Sequence, residues 1–233
     1  MKREKGFTLV ELIITIAVTI LLLVAVYGAV SSIQQSSAGL ERKVAAQIDV
    51  KPALDLMALE ISMASFNPTF TSNLWVSPSN CTSTSGNQEY KGIQEASASA
   101  ITVEMDIRGP SGGNPDGMLG DPNEVIRYSY DSTNQYITRS TNCGTPQPFL
   151  GAMPGDTRAV RVINGELNIP LFRYFDGSGT EISASSLPSA IPNIRRILIT
   201  LAVETEEIDP TTGQRRRLIY STSVIPRNHA IAY

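Results

Sequence analysis

Glu11 is isolated in this chain. Lys2, Arg3, Glu4 and Lys5 precede it, and no formally charged residue follows until Glu41. An acid at the edge of an apolar run is costly, and it marks a site that needs a partner. Residues 7–30 hold 15 Leu, Ile, Val or Phe. Each contributes roughly 0.3–0.6 kcal/mol to membrane insertion, against roughly 2.5–3.5 kcal/mol for one charge at mid-membrane. Insertion is therefore favoured even with Glu11 ionised. The chemistry open to this carboxylate is charge pairing in a layer of low dielectric, since a charge left unpaired there is penalised.

Other groupings invite a chemical reading. Gly109-Pro-Ser-Gly-Gly113 fits G-x-S-x-G and lies upstream of the single histidine, His229. A nucleophile elbow needs a helix directly after its serine, and Gly112, Gly113 and Pro115 oppose one, so a serine hydrolase is rejected. Asp116, Asp121 and Asn123, with Asp106 and Glu124 nearby, offer oxygen ligands around a glycine-rich loop. That chemistry suits calcium, although the spacing is not that of an EF-hand, and solvated turns explain the same residues. Arg215, Arg216 and Arg217, with Arg195 and Arg196 expected on the neighbouring strand, would form a basic patch able to contact phosphate or to guard a sheet edge. No transition-metal spacing and no phosphate loop are present. The expectation is a protein without enzyme activity and without a cofactor.

A chain of 233 residues allows one membrane helix and one modest globular domain. Net charge is -3, which gives no reason to expect nucleic acid as a partner. Basic residues before the apolar run and none within it favour a cytoplasmic amino terminus and an external carboxyl terminus. In that compartment two cysteines, Cys81 and Cys143, suggest one disulfide. Two unpaired buried thiols are the alternative.

The elements that must position these groups follow from pattern. No strong breaker occurs from Phe7 to about Ser65 except Pro52, so one long helix is expected over 7–65, kinked or broken at the proline. Its first half, about 7–30, is apolar on every side. In its second half Leu40, Val44, Ile48, Leu54, Met57 and Ile61 recur at helical spacing among Glu41, Arg42, Lys43, Asp49, Lys51 and Glu60, which predicts an amphipathic face. Residues 66–100, rich in Ser, Thr and Asn, read as an irregular connection. Alternation over 101–107 predicts a half-buried strand. Further strands are expected over 124–130 and 135–140 as a hairpin, over 171–176, and over 196–204 paired with 217–225. The fold class is α+β, with an antiparallel sheet domain over 101–233 laid on the second half of the helix.

The stretch Lys5-Gly-Phe-Thr-Leu-Val-Glu-Leu12 resembles the amino terminus of type IV prepilins and of type II secretion pseudopilins. The resemblance implies a leader, residues 1–6, cut after Gly6 by a membrane-embedded prepilin peptidase. Phe7 then becomes the methylated amino terminus, and Glu11 meets the amine of a neighbouring subunit during filament assembly. Unlike an ordinary secretory signal, whose apolar core lies before the cut, the span stays on the product. The strand succession from Ile126-Arg-Tyr-Ser-Tyr-Asp131 to Thr222-Ser-Val-Ile-Pro-Arg-Asn228 is similar to W-type minor pilins and J-type minor pseudopilins. That similarity implies a pilin-like subunit that primes or caps a pilus, with other minor and major pilins, the inner-membrane assembly platform and lipid as partners. A J-like subunit of type II secretion and a tip adhesin or DNA receptor are the alternatives. The implied location is the bacterial inner membrane, single-pass with the sheet domain in the periplasm, and then the pilus or pseudopilus.

Overall fold

The long helix begins with a reciprocal cap. The Glu11 amide donates to Thr8 Oγ1 at 3.3 Å, and the Thr8 amide donates to Glu11 Oε2 at 2.9 Å, which satisfies two amides that the first helical turn leaves open. The computed structural model describes residues 6, 8–81, 86–151, 160–209 and 212–231, with the backbone alone for Arg42. Helix α1 runs over Leu9–Ser62. It continues through Pro52 rather than breaking there. The chain leaves the helix at Ser65, whose φ of 66° turns it towards Asn67 and Pro68, a dipeptide that disfavours further helix.

The two halves of α1 have different surroundings. From Leu9 to Ile33 every large apolar side chain is exposed. In the second half the buried positions are Ala46, Val50, Ala53, Leu54, Met57 and Ile61, spaced by three, four and seven along one face. This corrects the expected stripe: Leu54, Met57 and Ile61 are buried, whereas Leu40, Val44 and Ile48 are exposed. Helical geometry explains the difference, because Ile48 and Leu54 lie about 120° apart around a helix of 3.6 residues per turn. The alanines on the buried face let the sheet backbone come close.

Among the described residues, nine strands form two antiparallel sheets. Strands β1 (Ile93–Ala96), β2 (Ala100–Glu104), β3 (Val125–Asp131), β4 (Tyr136–Thr141) and β5 (Gln147–Leu150) follow one another as a meander. In the second sheet β8 (Arg196–Ile208) is central. It pairs along one edge with β9 (Arg215–Val224) and along the other with β6 (Val160–Val162) and β7 (Phe172–Phe175) at successive levels. One core unites them: Met57 and Ile61 from the helix, Ile101, Val103 and Met105 from β2 and its continuation, and Ile197, Ile199, Leu201 and Val203 from β8. Full burial of each such side chain stabilises by roughly 1.5–3 kcal/mol.

Three strands lie where none was expected. β1 falls inside the segment read as irregular, and β5 and β6 fall outside the expected strands. They are short, and β5 carries Pro148, which an edge strand tolerates. Strand β2 also differs from expectation, since all five of its residues are buried. The connection after α1 returns over its second face: Ser65 N–H donates to Glu104 O and Asp106 N–H to Phe66 O, each at 2.8 Å. The Cys81–Cys143 disulfide ties that connection to the loop between β4 and β5. Closing the 62-residue separation stabilises by about 4 kcal/mol in the chain-entropy model.

Two buried polar groupings hold the helix to the sheets. Glu60, expected on the polar side of α1, is buried and accepts from Arg139 Nη2 at 2.6 Å, Arg139 Nε at 3.1 Å and the Tyr128 hydroxyl at 2.5 Å. The carboxylate and burial together raise the Tyr128 hydroxyl above its usual range. At the helix exit, fully buried His229 donates from Nε2 to Ile191 O at 2.9 Å, so its Nδ1 accepts from Ser65 Oγ at 2.8 Å. Ser65 Oγ in turn accepts the Gly92 amide at 3.0 Å. Gly92 has no room for a side chain, because a Cβ would meet Glu104 O and Ser65 N at 2.3 Å. Burial lowers the His229 pKa from 6.5 to about 4. The unfolded chain thus binds more protons than the folded one between those values, and stability is full above 6.5 and declines as pH falls towards 4. We expect unfolding by denaturant at pH 7 and pH 4 to show the native chain losing about 3 kcal/mol relative to His229→Gln, since the carboxylates that titrate in the same window are common to both. His229→Gln should lower stability at pH 7, and a difference between the two proteins that is the same at both pH values would contradict the assignment.

Candidate assembly site at the amino terminus

Gly6 is exposed, and a Cβ built on it meets nothing within 4 Å. The fold therefore places no steric demand on a glycine here. Phe7 and the basic residues Lys2, Arg3 and Lys5 lie outside the described residues, so the cleavage and methylation positions are described only on the Gly6 side.

Glu11 sits on the first turn of α1, fully exposed, with no group from the sheet domain hydrogen-bonded to it. Its Oε2 accepts from the Thr8 amide and the Thr8 hydroxyl, each at 2.9 Å. The cap is readable in the sequence as Thr8-x-x-Glu11, a signal that reading Glu11 only as a charge to be paired passes over. The cap orients the carboxylate next to the start of the helix, and among the described residues its Oε1 has no hydrogen-bond partner. Below it, Thr15 Oγ1 donates to Glu11 O and Thr19 Oγ1 to Thr15 O, each at 2.7 Å. Hydroxyls bonded back to the preceding turn in this way add little polar cost to an apolar run. The helix is long and apolar enough to cross a membrane.

The remaining groupings take other roles. Ser111 has φ 61° within a single turn, Pro110–Gly112, and His229 belongs to the buried contact at the helix exit. Asp116 Oδ1 accepts the Met118 amide, and Asn123 Oδ1 accepts Arg139 Nη2 at 3.0 Å. Among the described residues, no three His, Cys, Asp or Glu are grouped so as to hold a metal. The expected basic patch is divided. Arg217 pairs in register with Glu204, while Arg196 begins the same strand eight residues earlier, about 27 Å away at the usual rise per residue. Arg217 Nε contacts Glu204 at 2.8 Å, and Arg196 lies over the Phe175 ring. Antiparallel pairing of two long strands puts these arginines at opposite ends.

Compared with protein families, residues 1–27 match the prokaryotic N-terminal methylation motif. No curated protein and no solved structure matches the chain. The motif implies processing by prepilin peptidase and assembly with pilin-type subunits, in a family that is generally structural rather than catalytic. It fits membrane anchoring through the apolar helix. This motif, heading a long apolar helix packed on antiparallel sheets in a pilin-like α+β fold, supports a type IV prepilin-like protein.

Proposed function

We propose that this chain is a minor type IV pilin, a structural subunit that primes or caps a pilus after cleavage between Gly6 and Phe7 and methylation of Phe7. One observation carries the reading: an apolar half-helix that nothing else among the described residues covers, with a single acid in its first turn. Before assembly the cover is lipid, with the leader in the cytoplasm and the sheet domain in the periplasm. After assembly it is the same segment of neighbouring subunits. Cleavage creates a cationic amine on Phe7, and Glu11 of an adjoining subunit pairs with it, which sets axial register because a mismatched register leaves both charges unpaired.

The exposed stripe of Leu40, Val44, Ile48 and Leu59 supports this reading further. These residues fall within about 100° of one another on the helix and continue the uncovered surface up beside the sheet domain. Neighbouring helices would cover it in a filament. The strand succession shared with J-type minor pseudopilins supports type II secretion as the other machine. A retraction ATPase among the gene neighbours favours the pilus, and an outer-membrane secretin with secretion partners favours the pseudopilus.

Gly6→Val should leave an unprocessed protein, longer than the processed wild type by its leader; equal intact masses would misplace the cut. Glu11→Ala should retain cleavage and membrane insertion but reduce incorporation into filaments, scored by sheared-pilus fractions; wild-type piliation would refute the pairing. Ile48→Lys should leave the melting temperature of the protein within about 2 °C, as expected for an exposed site, and still lower incorporation. Normal incorporation would show that the stripe stays uncovered in the filament.

A further inference from the structure

The second face of β2 carries Thr102, Glu104 and Asp106, all buried. Three acids on and beside this face are solvated by loop backbone to different extents. Glu124 accepts four amides: Ile107 and Arg108 on Oε1, and Gly120 and Asp121 on Oε2, at 3.0–3.2 Å. Asp106 Oδ2 accepts the Gly117 amide at 3.0 Å. Glu104 accepts one amide, Val76 N–H on Oε2 at 3.0 Å, and its Oε1 is shut from solvent with no hydrogen-bond partner.

A buried carboxylate with one amide and no cation is poorly stabilised, whereas the neutral acid in the same place loses far less on leaving water. The charged groups around it do not compensate. Glu95 is taken up by Arg127 and Thr102, Lys91 donates to the carbonyls of His229 and Ile231, and Asp106 and Glu124 carry the same sign. Helix exit, cover and β3 meet Glu104 through the backbone of Ser65, Val76 and Val125, none of which titrates. Burial pushes the Glu104 carboxyl up to about 8. The element that closes over it is the connection after α1, fixed at one end by the helix and at the other by Cys81–Cys143, and bound to Glu104 through Val76.

We propose that residues 66–81 form a pH-sensitive cover on the sheet domain, closed while Glu104 Oε1 holds its proton and opened locally when that proton passes to water. The closed state binds the proton more tightly than the open one, so the contribution to closure is full below the ordinary carboxyl value of 4.5, is lost progressively as pH rises towards about 8, and changes no further above it. The disulfide limits the opening to the segment between the helix and Cys81. A subunit outside the cytoplasm would then present a different surface beside β2 in neutral and in alkaline surroundings.

Hydrogen exchange of the full-length protein in detergent micelles tests this, with peptides covering 72–80 followed from pH 6 to 9 and corrected for intrinsic exchange. The native chain should lose protection by up to about tenfold per pH unit from pH 6 to about 8 and level off above that, and Glu104→Gln should hold constant protection. A flat native profile, or the same decline in both proteins, would overturn the proposal. If Glu104→Gln does not fold, carboxyl-labelled glutamate in the native chain decides by NMR: one resonance titrating near pH 8 supports the cover, and none titrating above pH 6 refutes it.

Discussion

The rest of the structure depends on one helix that has to satisfy two environments. Over Leu9–Ile33 the large apolar side chains of α1 are uncovered among the described residues, and from Ala46 to Ile61 one face of it is part of a protein core. Hydrocarbon and a neighbouring apolar helix are equivalent covers for the first half, since both remove the same side chains from water. In the function proposed above, that equivalence lets a subunit leave a membrane for a filament without unfolding. Glu11 is the exception in this segment, because its carboxylate distinguishes a cover with a cation from one without.

The sheet domain is held to α1 mainly by close contact. Ala46 and Ala53 are small side chains on the buried face, and Met57 and Ile61 share one core with residues of both sheets. Glu60 adds direction to these contacts. Paired with Arg139 and Tyr128 and removed from water, it is satisfied at one position of helix against sheet. Breaking such a pair costs far more than its formation contributes, so its role is to define the docking of α1 on β3 and β4. The helix exit is defined similarly by Ser65, Gly92 and His229, with a neutral imidazole as the central group.

Acidic residues account for much of the irregular structure. Glu124, Asp106 and Glu104 take backbone amides from loops that have few ladder partners of their own. In a loop-rich domain this answers the requirement that buried amides find acceptors. It also places ionisable groups where their charge is hard to maintain, most of all at Glu104.

Much of this was legible from residue order. The span, the acid at its head and the two long hairpins follow from period, length and turn chemistry, all of which are local. The disulfide was suggested by compartment and count. Legibility ended wherever a second surface arrives from far along the chain. The face of α1 that is buried was decided by where the sheets dock, which put Ala46 and Val50 inward in place of Val44 and Ile48. Glu60 and Glu104 read as solvated charges, and both are buried, because Arg139 and the connection after α1 reach them only after folding. The five arginines read as one patch became two groups through strand register. Sequence by itself determined the long helix, the two long hairpins and where the lone acid lies, because those depend on neighbours in the chain. Tertiary structure alone decided which polar groups lose water, because that depends on neighbours in space.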